Sequence, residues 1–172
     1  MKRQMTAEKA YTRAATLCSR SEQAESDIRE KLAGWGIDEA DVEQIVQRLR
    51  EGNYLNEQRY AHAFVHDKFA FNGWGKIKMA FMLKQKQVSP AVIEEALAAI
   101  NHEEYREKLM SLLYAKMQAQ AGRDALLVRA SLLRLAASRG YEPSVFYGCV
   151  DRTMAKFDTL VAGDGEPNPD NE

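Results

Sequence analysis

The sequence predicts an all-α protein built from three tandem three-helix, helix-turn-helix-like repeats that form an elongated, curved molecule. The first observation behind this is a phrase that opens a helix three times: Ile37-Asp38-Glu39-Ala40-Asp41-Val42, Val88-Ser89-Pro90-Ala91-Val92-Ile93 and Tyr141-Glu142-Pro143-Ser144-Val145-Phe146. The starts are 51 and 53 residues apart (88 − 37 and 141 − 88). The second is that apolar residues recur at helical intervals after each start: Val42, Ile45, Val46 and Leu49, then Ile93, Ala96, Leu97 and Ile100, then Phe146, Cys149 and Val150. The third is that no segment alternates apolar and polar residues as a half-buried strand does. Repeated helical units bury their stripes by stacking and present a long surface, which favours recognition of something large over a single catalytic pocket.

Each element has a local reason. Thr6 caps a first helix running to about Cys18, with Ala10, Ala14 and Leu17 on one face. Ser21 is read as opening the second, with Glu22 and Glu25 at its positive end and Ile28, Leu32 and Trp35 as its stripe, before Gly34 and Gly36 stop it. Asp38 caps the third, and Gly52 is expected in a left-handed conformation at its end. Asn56 caps a fourth carrying Tyr60, Ala61, Phe64, Val65 and Phe69, broken by Asn72-Gly73. A fifth starts near Trp74, with Ile77, Phe81 and Leu83; Ser89-Pro90 caps and starts the sixth, because proline lacks only a donor that the first turn leaves unused. Tyr105, Leu109, Leu112, Leu113 and Met117 define the seventh, Leu126, Leu133 and Ala137 the eighth, which stops at Gly140, and Pro143 starts the ninth.

These helices group as modules at residues 1–54, 55–102 and 103–158, followed by a disordered acidic tail at 159–172 whose end lacks large apolar residues. The chain has 172 residues, 45% hydrophobic and 28% charged, which is enough for a core in an ordinary soluble protein. No apolar run reaches the roughly 18 to 20 residues of a membrane span, and Met1-Lys2-Arg3-Gln4 leads into an amphipathic helix, so a cytoplasmic location is expected. With only Cys18 and Cys149, reduced thiols are expected. The net charge of −1 hides segregation. Arg59, Lys68, Lys76, Lys78, Lys84 and Lys86 face Asp67 alone over residues 59–86, and residues 105–156 are also basic, with Arg129, Arg134 and Arg139 on the eighth helix. Residues 21–58 and the tail are acidic. Those nine cations are the candidate partner-binding and nucleic-acid-binding residues, against the plainer alternative of solvated helix faces.

Nothing points to catalysis. His62 and His66 lie four apart on one helix, but His102 is the only other histidine, so no metal site is expected. Gly73-Trp74-Gly75-Lys76 lacks the spacing, the Ser or Thr and the preceding strand of a phosphate-binding loop. Neither cysteine has a histidine nearby in sequence, no Gly-x-Ser-x-Gly elbow occurs, and the carboxylates at helix starts serve as caps. No cofactor and no enzymatic activity are expected. The aromatics fall mostly at core spacing; Tyr54, Phe71 and Trp74, at helix ends, are the ones that could instead stack on bases.

Several segments, taken in order, resemble one family. They are Cys18-Ser19-Arg20-Ser21-Glu22, then Asp27-Ile28-Arg29-Glu30-Lys31-Leu32 with Trp35-Gly36, then Gly52-Asn53-Tyr54-Leu55-Asn56-Glu57-Gln58-Arg59-Tyr60-Ala61. Phe64-Val65-His66-Asp67-Lys68, Asn72-Gly73-Trp74-Gly75-Lys76-Ile77-Lys78 and Ala136-Ala137-Ser138-Arg139-Gly140-Tyr141 complete the series. The chain is similar to the RecX family, bacterial regulators of the RecA recombinase, and looks most like its Bacteroidetes-type members. One departure is Asn56, where the family often has Asp; asparagine caps a helix equally well. The resemblance implies a protein without chemistry of its own that binds the RecA filament on single- or double-stranded DNA and modulates, most often inhibits, strand exchange, ATPase and coprotease functions; apart from the resemblance, a monomer is expected. DNA repair, recombination and the SOS response are the processes so affected. Two other classes stay open on the residues alone: a helical scaffold for an unrelated protein, and a helix-turn-helix transcription regulator reading duplex DNA. Exposed Glu43, Glu94 and Glu95 on two of the third helices argue against the latter.

Overall fold

The computed structural model describes residues 5–163, and among them every regular element is a helix. They are α1 (Ala7–Arg20), α2 (Glu25–Gly34), α3 (Glu39–Glu51), α4 (Glu57–Ala70), α5 (Lys76–Gln85), α6 (Pro90–Ala98), α7 (His102–Gln118), α8 (Ala125–Arg139) and α9 (Pro143–Gly163). The chain divides into two compact units: Met1–Lys68 with Ala80–Ala99, and Phe69–Met79 with Ile100–Glu172. The tip of the α4–α5 hairpin therefore belongs to the second unit, although its flanks fall in the first. Helix α9 extends to Gly163, so residues 159–163, read from the sequence as tail, are helical; residues 164–172 lie outside the described residues.

The repeated phrase has a repeated backbone. A residue with positive φ precedes each occurrence: Gly36 (82°), Gln87 (61°) and Gly140 (83°). The next amide then donates five residues back, Ile37 to the Leu32 carbonyl at 3.2 Å, Val88 to Leu83 at 3.1 Å and Tyr141 to Ala136 at 3.1 Å. This is the bonding of a helix C-terminus closed by a left-handed residue and followed by an apolar plug. All three plugs, Ile37, Val88 and Tyr141, are buried. The same corner thus ends the second helix of each triplet and aims the third.

Side chains secure several other ends. The Asp41 amide donates to Asp38 Oδ1 at 2.9 Å, Arg59 N to Asn56 Oδ1 at 2.9 Å, and Leu126 N to Asp124 Oδ1 at 2.9 Å. Three sequence expectations are corrected here. Ser21 ends α1 instead of opening α2: helix α1 runs on to Arg20, Ser21 is extended, and α2 begins only at Glu25 after Ala24. Gly52 keeps a φ of −77° and the left-handed position falls on Asn53 (58°). Ser89 makes no side-chain cap on α6; instead its amide and hydroxyl engage the Glu57 carboxylate at 2.6 and 3.1 Å, so the cap comes from another helix.

In the first unit, Ala10, Ala14, Ile28, Leu32, Val42, Ile45, Val46 and Leu49 interlock, with Leu55 closing the cluster. Each large side chain removed from water here contributes about 1.5–3 kcal/mol before entropy is counted. The second unit is centred on Tyr105, Leu109, Leu113, Met117, Val128, Leu132, Ala136, Tyr141, Phe146 and Val150. Two stripes differ from their expected register. On α5 the buried positions are Met79 and Leu83, while Ile77 and Phe81 are 52% and 59% exposed. On α8 they are Val128, Leu132 and Ala136, leaving Leu126 77% exposed. Both helices are apolar on several sides, so periodicity does not single out one face.

Candidate functional site

The nine candidate cations separate into two chemical situations. In the first unit, two of them bind the acidic neighbour. Arg59 puts Nε 2.8 Å from Glu22 Oε1 and its terminal nitrogens 2.7 and 3.0 Å from the Asn53 side-chain and backbone oxygens. Lys86 Nζ is 2.7 Å from Asp27 Oδ1, and Ser26 Oγ donates to the Lys86 carbonyl at 2.9 Å. The Asp27 hydrogen bond pushes the Lys86 ammonium pKa up. Lys86 therefore holds α2 against the turn after α5, Arg59 holds the segment before α2 against α4, and the two do not form an open cationic face. Beside them lies a polar cavity of about 440 Å³ lined by Glu25, Arg29, Arg50, Glu57, Tyr60 and Lys86 among others. Its arginines are already neutralised: Arg29 meets Glu25 and Glu43, each at 2.9 Å, and Arg50 meets Glu25 at 2.7 Å. Lys68 lies with Nζ 5.7 Å from the Phe64 ring centre, and Lys84 is exposed.

In the second unit, cations gather at the turn between α4 and α5 and the C-terminus of α8. The two backbones touch. Gly75 N donates to the Arg139 carbonyl at 2.7 Å and Ile77 N to the Gly140 carbonyl at 3.0 Å. A Cβ on Gly75 would lie 2.3 Å from the Gly140 carbonyl carbon and oxygen, and one on Gly140 2.3 Å from Lys78 Cβ, so only glycine permits this approach from either side. Tyr105 ties the turn down from below: its hydroxyl accepts from Lys76 N at 2.8 Å and donates to Glu142 Oε2 at 2.6 Å. Burial raises the Tyr105 phenol well above its ordinary pKa, and the hydrogen bond to Glu142 adds to this.

That scaffold sets the side chains above it. Lys76 Nζ lies 5.2 Å from the Tyr105 ring centre and Lys78 Nζ 4.5 Å from that of Trp74, within cation–π range. The Arg139 guanidinium donates to the Asn72 carbonyl, and Lys108 Nζ donates to the Ala70 carbonyl at 2.7 Å. These two carbonyls flank Phe71, which is 80% exposed. Of the remaining candidates, Arg134 is exposed and Arg129 pairs with Asp151 at 2.9 Å. Sequence reasoning missed Lys108; the available signal was the need for cations at the carbonyl end of α4, to which spacing along one chain does not assign a donor.

The remaining chemistry stays ordinary. His62 Nε2 lies 3.7 Å from Glu95 Oε1 and His66 Nδ1 3.1 Å from Asp67 Oδ1, so the two imidazoles serve different carboxylates. Burial pushes both the Cys18 and Cys149 thiols up, away from the thiolate a nucleophile requires.

Two family models match this chain, one described as RecX, first three-helix domain, over residues 10–49, the other as RecX, second three-helix domain, over residues 56–97. The regulatory protein RecX of Clostridium botulinum strain Eklund 17B is 34% identical over 124 residues, 71% of this chain and 58% of that protein. Its counterpart in strain Alaska E43 is 32% identical over 137 residues, 78% of this chain and 64% of the relative. The chain belongs to the RecX family. This RecX-family chain also shares its fold with two crystal structures. One, of regulatory protein RecX, gives a TM-score of 0.76 at 23% identity, covering 84% of this chain and 71% of the other. The second, of RecX from Lactobacillus salivarius, gives 0.75 at 18% identity, covering 89% and 97%. The chain spans less than two thirds of the length of the two Clostridium relatives. Among the described residues of this RecX-family member, no helix is long and apolar enough to cross a membrane.

Proposed function

We propose that this chain is a regulator of the RecA recombinase, binding the RecA filament on DNA in the cytoplasm and lowering its activity without performing chemistry itself. The observation that carries the reading is the presence of both RecX three-helix domains, in family order, on one chain. The narrower likeness to Bacteroidetes-type members, and the effect on repair, recombination and the SOS response, belong to the same proposal. The physical argument is multivalency. A protein of tandem helical modules, residues 1–54, 55–102 and 103–158, touches several protomers of a polymer at once, and weak contacts then add through effective concentration. Exposed Glu43, Glu94 and Glu95 on α3 and α6 disfavour the alternative in which those helices read the major groove.

Co-sedimentation of the full chain with RecA assembled on single-stranded DNA tests the reading. The chain is expected in the pellet with the filament and in the supernatant with bovine serum albumin in place of RecA. Recovery in the supernatant at low salt, with filaments fully pelleted, would overturn filament binding. Sequence-selective retention of duplex DNA without RecA would favour a transcription regulator instead.

A further inference from the structure

The geometry points to a single-stranded nucleic-acid contact on the second unit, in which Phe71 stacks on a base and the cations around it take the neighbouring phosphates. This deepens the proposed function by assigning the strand-contacting surface, and rests on it only for the source of the strand. The central observation is the framing of one exposed ring by two cations. Lys108 holds the carbonyl before Phe71 and Arg139 the carbonyl after it, while the ring itself is 80% exposed. A phenylalanine this exposed gives up most of its hydrophobic stabilisation, and it stands at a turn pinned by the Gly75–Gly140 approach.

The surroundings match a polyanion. Neither residues 69–79 nor α8 contains an Asp or Glu, whereas they supply Lys76, Lys78, Arg134 and Arg139, with Arg129 of α8 paired to Asp151. Lys76 and Lys78 are positioned over the faces of Tyr105 and Trp74, so less side-chain entropy is lost when they meet a phosphate. Aromatic stacking combined with lysine and arginine contacts is how proteins hold single strands without reading sequence, since every base offers a face. Duplex DNA fits less well, because its bases are already stacked and Phe71 would have nothing to cover.

Fluorescence anisotropy of a labelled 30-nucleotide oligo-dT, titrated with the full chain in the absence of recombinase, tests the assignment. Phe71→Ala is expected to weaken binding roughly 5- to 150-fold, the span of one lost base stack, with Phe71→Trp restoring it. Circular dichroism of both variants should match the wild type, because an exposed ring contributes little to the core. If Lys76, Lys78, Lys108 and Arg139 each neutralise one phosphate, affinity falls about 50-fold between 50 and 200 mM salt. An oligomer of abasic residues, which keeps the phosphates, should bind the wild type as weakly as oligo-dT binds Phe71→Ala. Equal affinity of wild type and Phe71→Ala for oligo-dT would overturn the stacking contact, and so would equal affinity for oligo-dT and the abasic strand. Binding of poly-glutamate at the oligo-dT affinity, lost in Phe71→Ala, would assign the face to an acidic protein instead. None of these readouts contains RecA, so a failure here is distinct from a failure of filament binding.

Discussion

The Lys86 ammonium, in the turn that follows α5, lies 2.7 Å from the Asp27 carboxylate on α2, across a sequence separation of 59 residues. With Arg59 on Glu22 and Ser26 on the Lys86 carbonyl, it ties the start of α2 and the segment before it to α4 and the turn after α5 within the first compact unit. Both partners are about one third exposed, so the pair is solvent-screened and modest in energy.

A double-mutant cycle measures this pair directly. Lys86→Ala and Asp27→Ala are each expected to lower urea stability by about 0.5–1 kcal/mol, and the double variant by much less than the sum. The coupling should shrink as salt rises from 50 mM to 1 M. Strict additivity at low salt would remove the pair from the account.

Glycines divide sharply by environment. Gly75→Ala drives a methyl into the Gly140 backbone, which cannot rotate away, and is expected to cost about 3 kcal/mol or more. Gly148 lies in α9 with nothing within 4 Å of an added Cβ, so Gly148→Ala should stabilise by about 0.5–1 kcal/mol. Thermal melts followed at 222 nm rank the two; equal melting temperatures would refute the close approach.

Two neighbouring tyrosines, with ring centres 4.8 Å apart, should respond oppositely to loss of the hydroxyl. Tyr105→Phe strands the Lys76 amide and Glu142 and should cost about 1–3 kcal/mol. Among the described residues Tyr141 Oη is buried without a hydrogen-bond partner, so Tyr141→Phe should be neutral or slightly stabilising at pH 7. Burial also pushes the Tyr141 phenol up to about 12 from an ordinary value of 10. An unfolded chain therefore loses this proton first. Titration of Tyr141 thus leaves stability untouched below pH 10 and lowers it as pH rises from 10 to 12, by about 2.7 kcal/mol in all. Denaturant titrations at pH 9 and 11.5 check the sign: Tyr141→Phe should lose less stability over that interval than the wild type.

The all-helical class and the three corners were legible because they rest on local chemistry. Left-handed Gly36 and Gly140, and the apolar residue after each, write the same ending into the chain, although Gln87 in the middle corner shows that glycine is not obligatory. Asp38 and Asn56 cap where short polar side chains precede a helix. The faces of α5 and α8 were not legible, since Ile77, Met79, Phe81 and Leu83 are all apolar and only the tertiary neighbours select Met79 and Leu83 for burial. Composition did not separate the candidate cations from one another for a related reason. Charge composition marks Arg59 and Lys86 as strongly as Lys76 and Lys78, but whether a cation meets Glu22 or Asp27, or lies over an aromatic ring, depends on long-range packing. Lys108 joined the site only through its reach to the Ala70 carbonyl.

The most direct measurement of the central claim is the DNA-dependent ATPase rate of RecA from the same organism, titrated with this chain on single-stranded DNA. The rate should fall at less than one chain per RecA protomer, as the proposed contact of one chain with several protomers requires. An ATPase rate unchanged at saturating chain, with filament length and strand exchange also unaffected, would contradict the account.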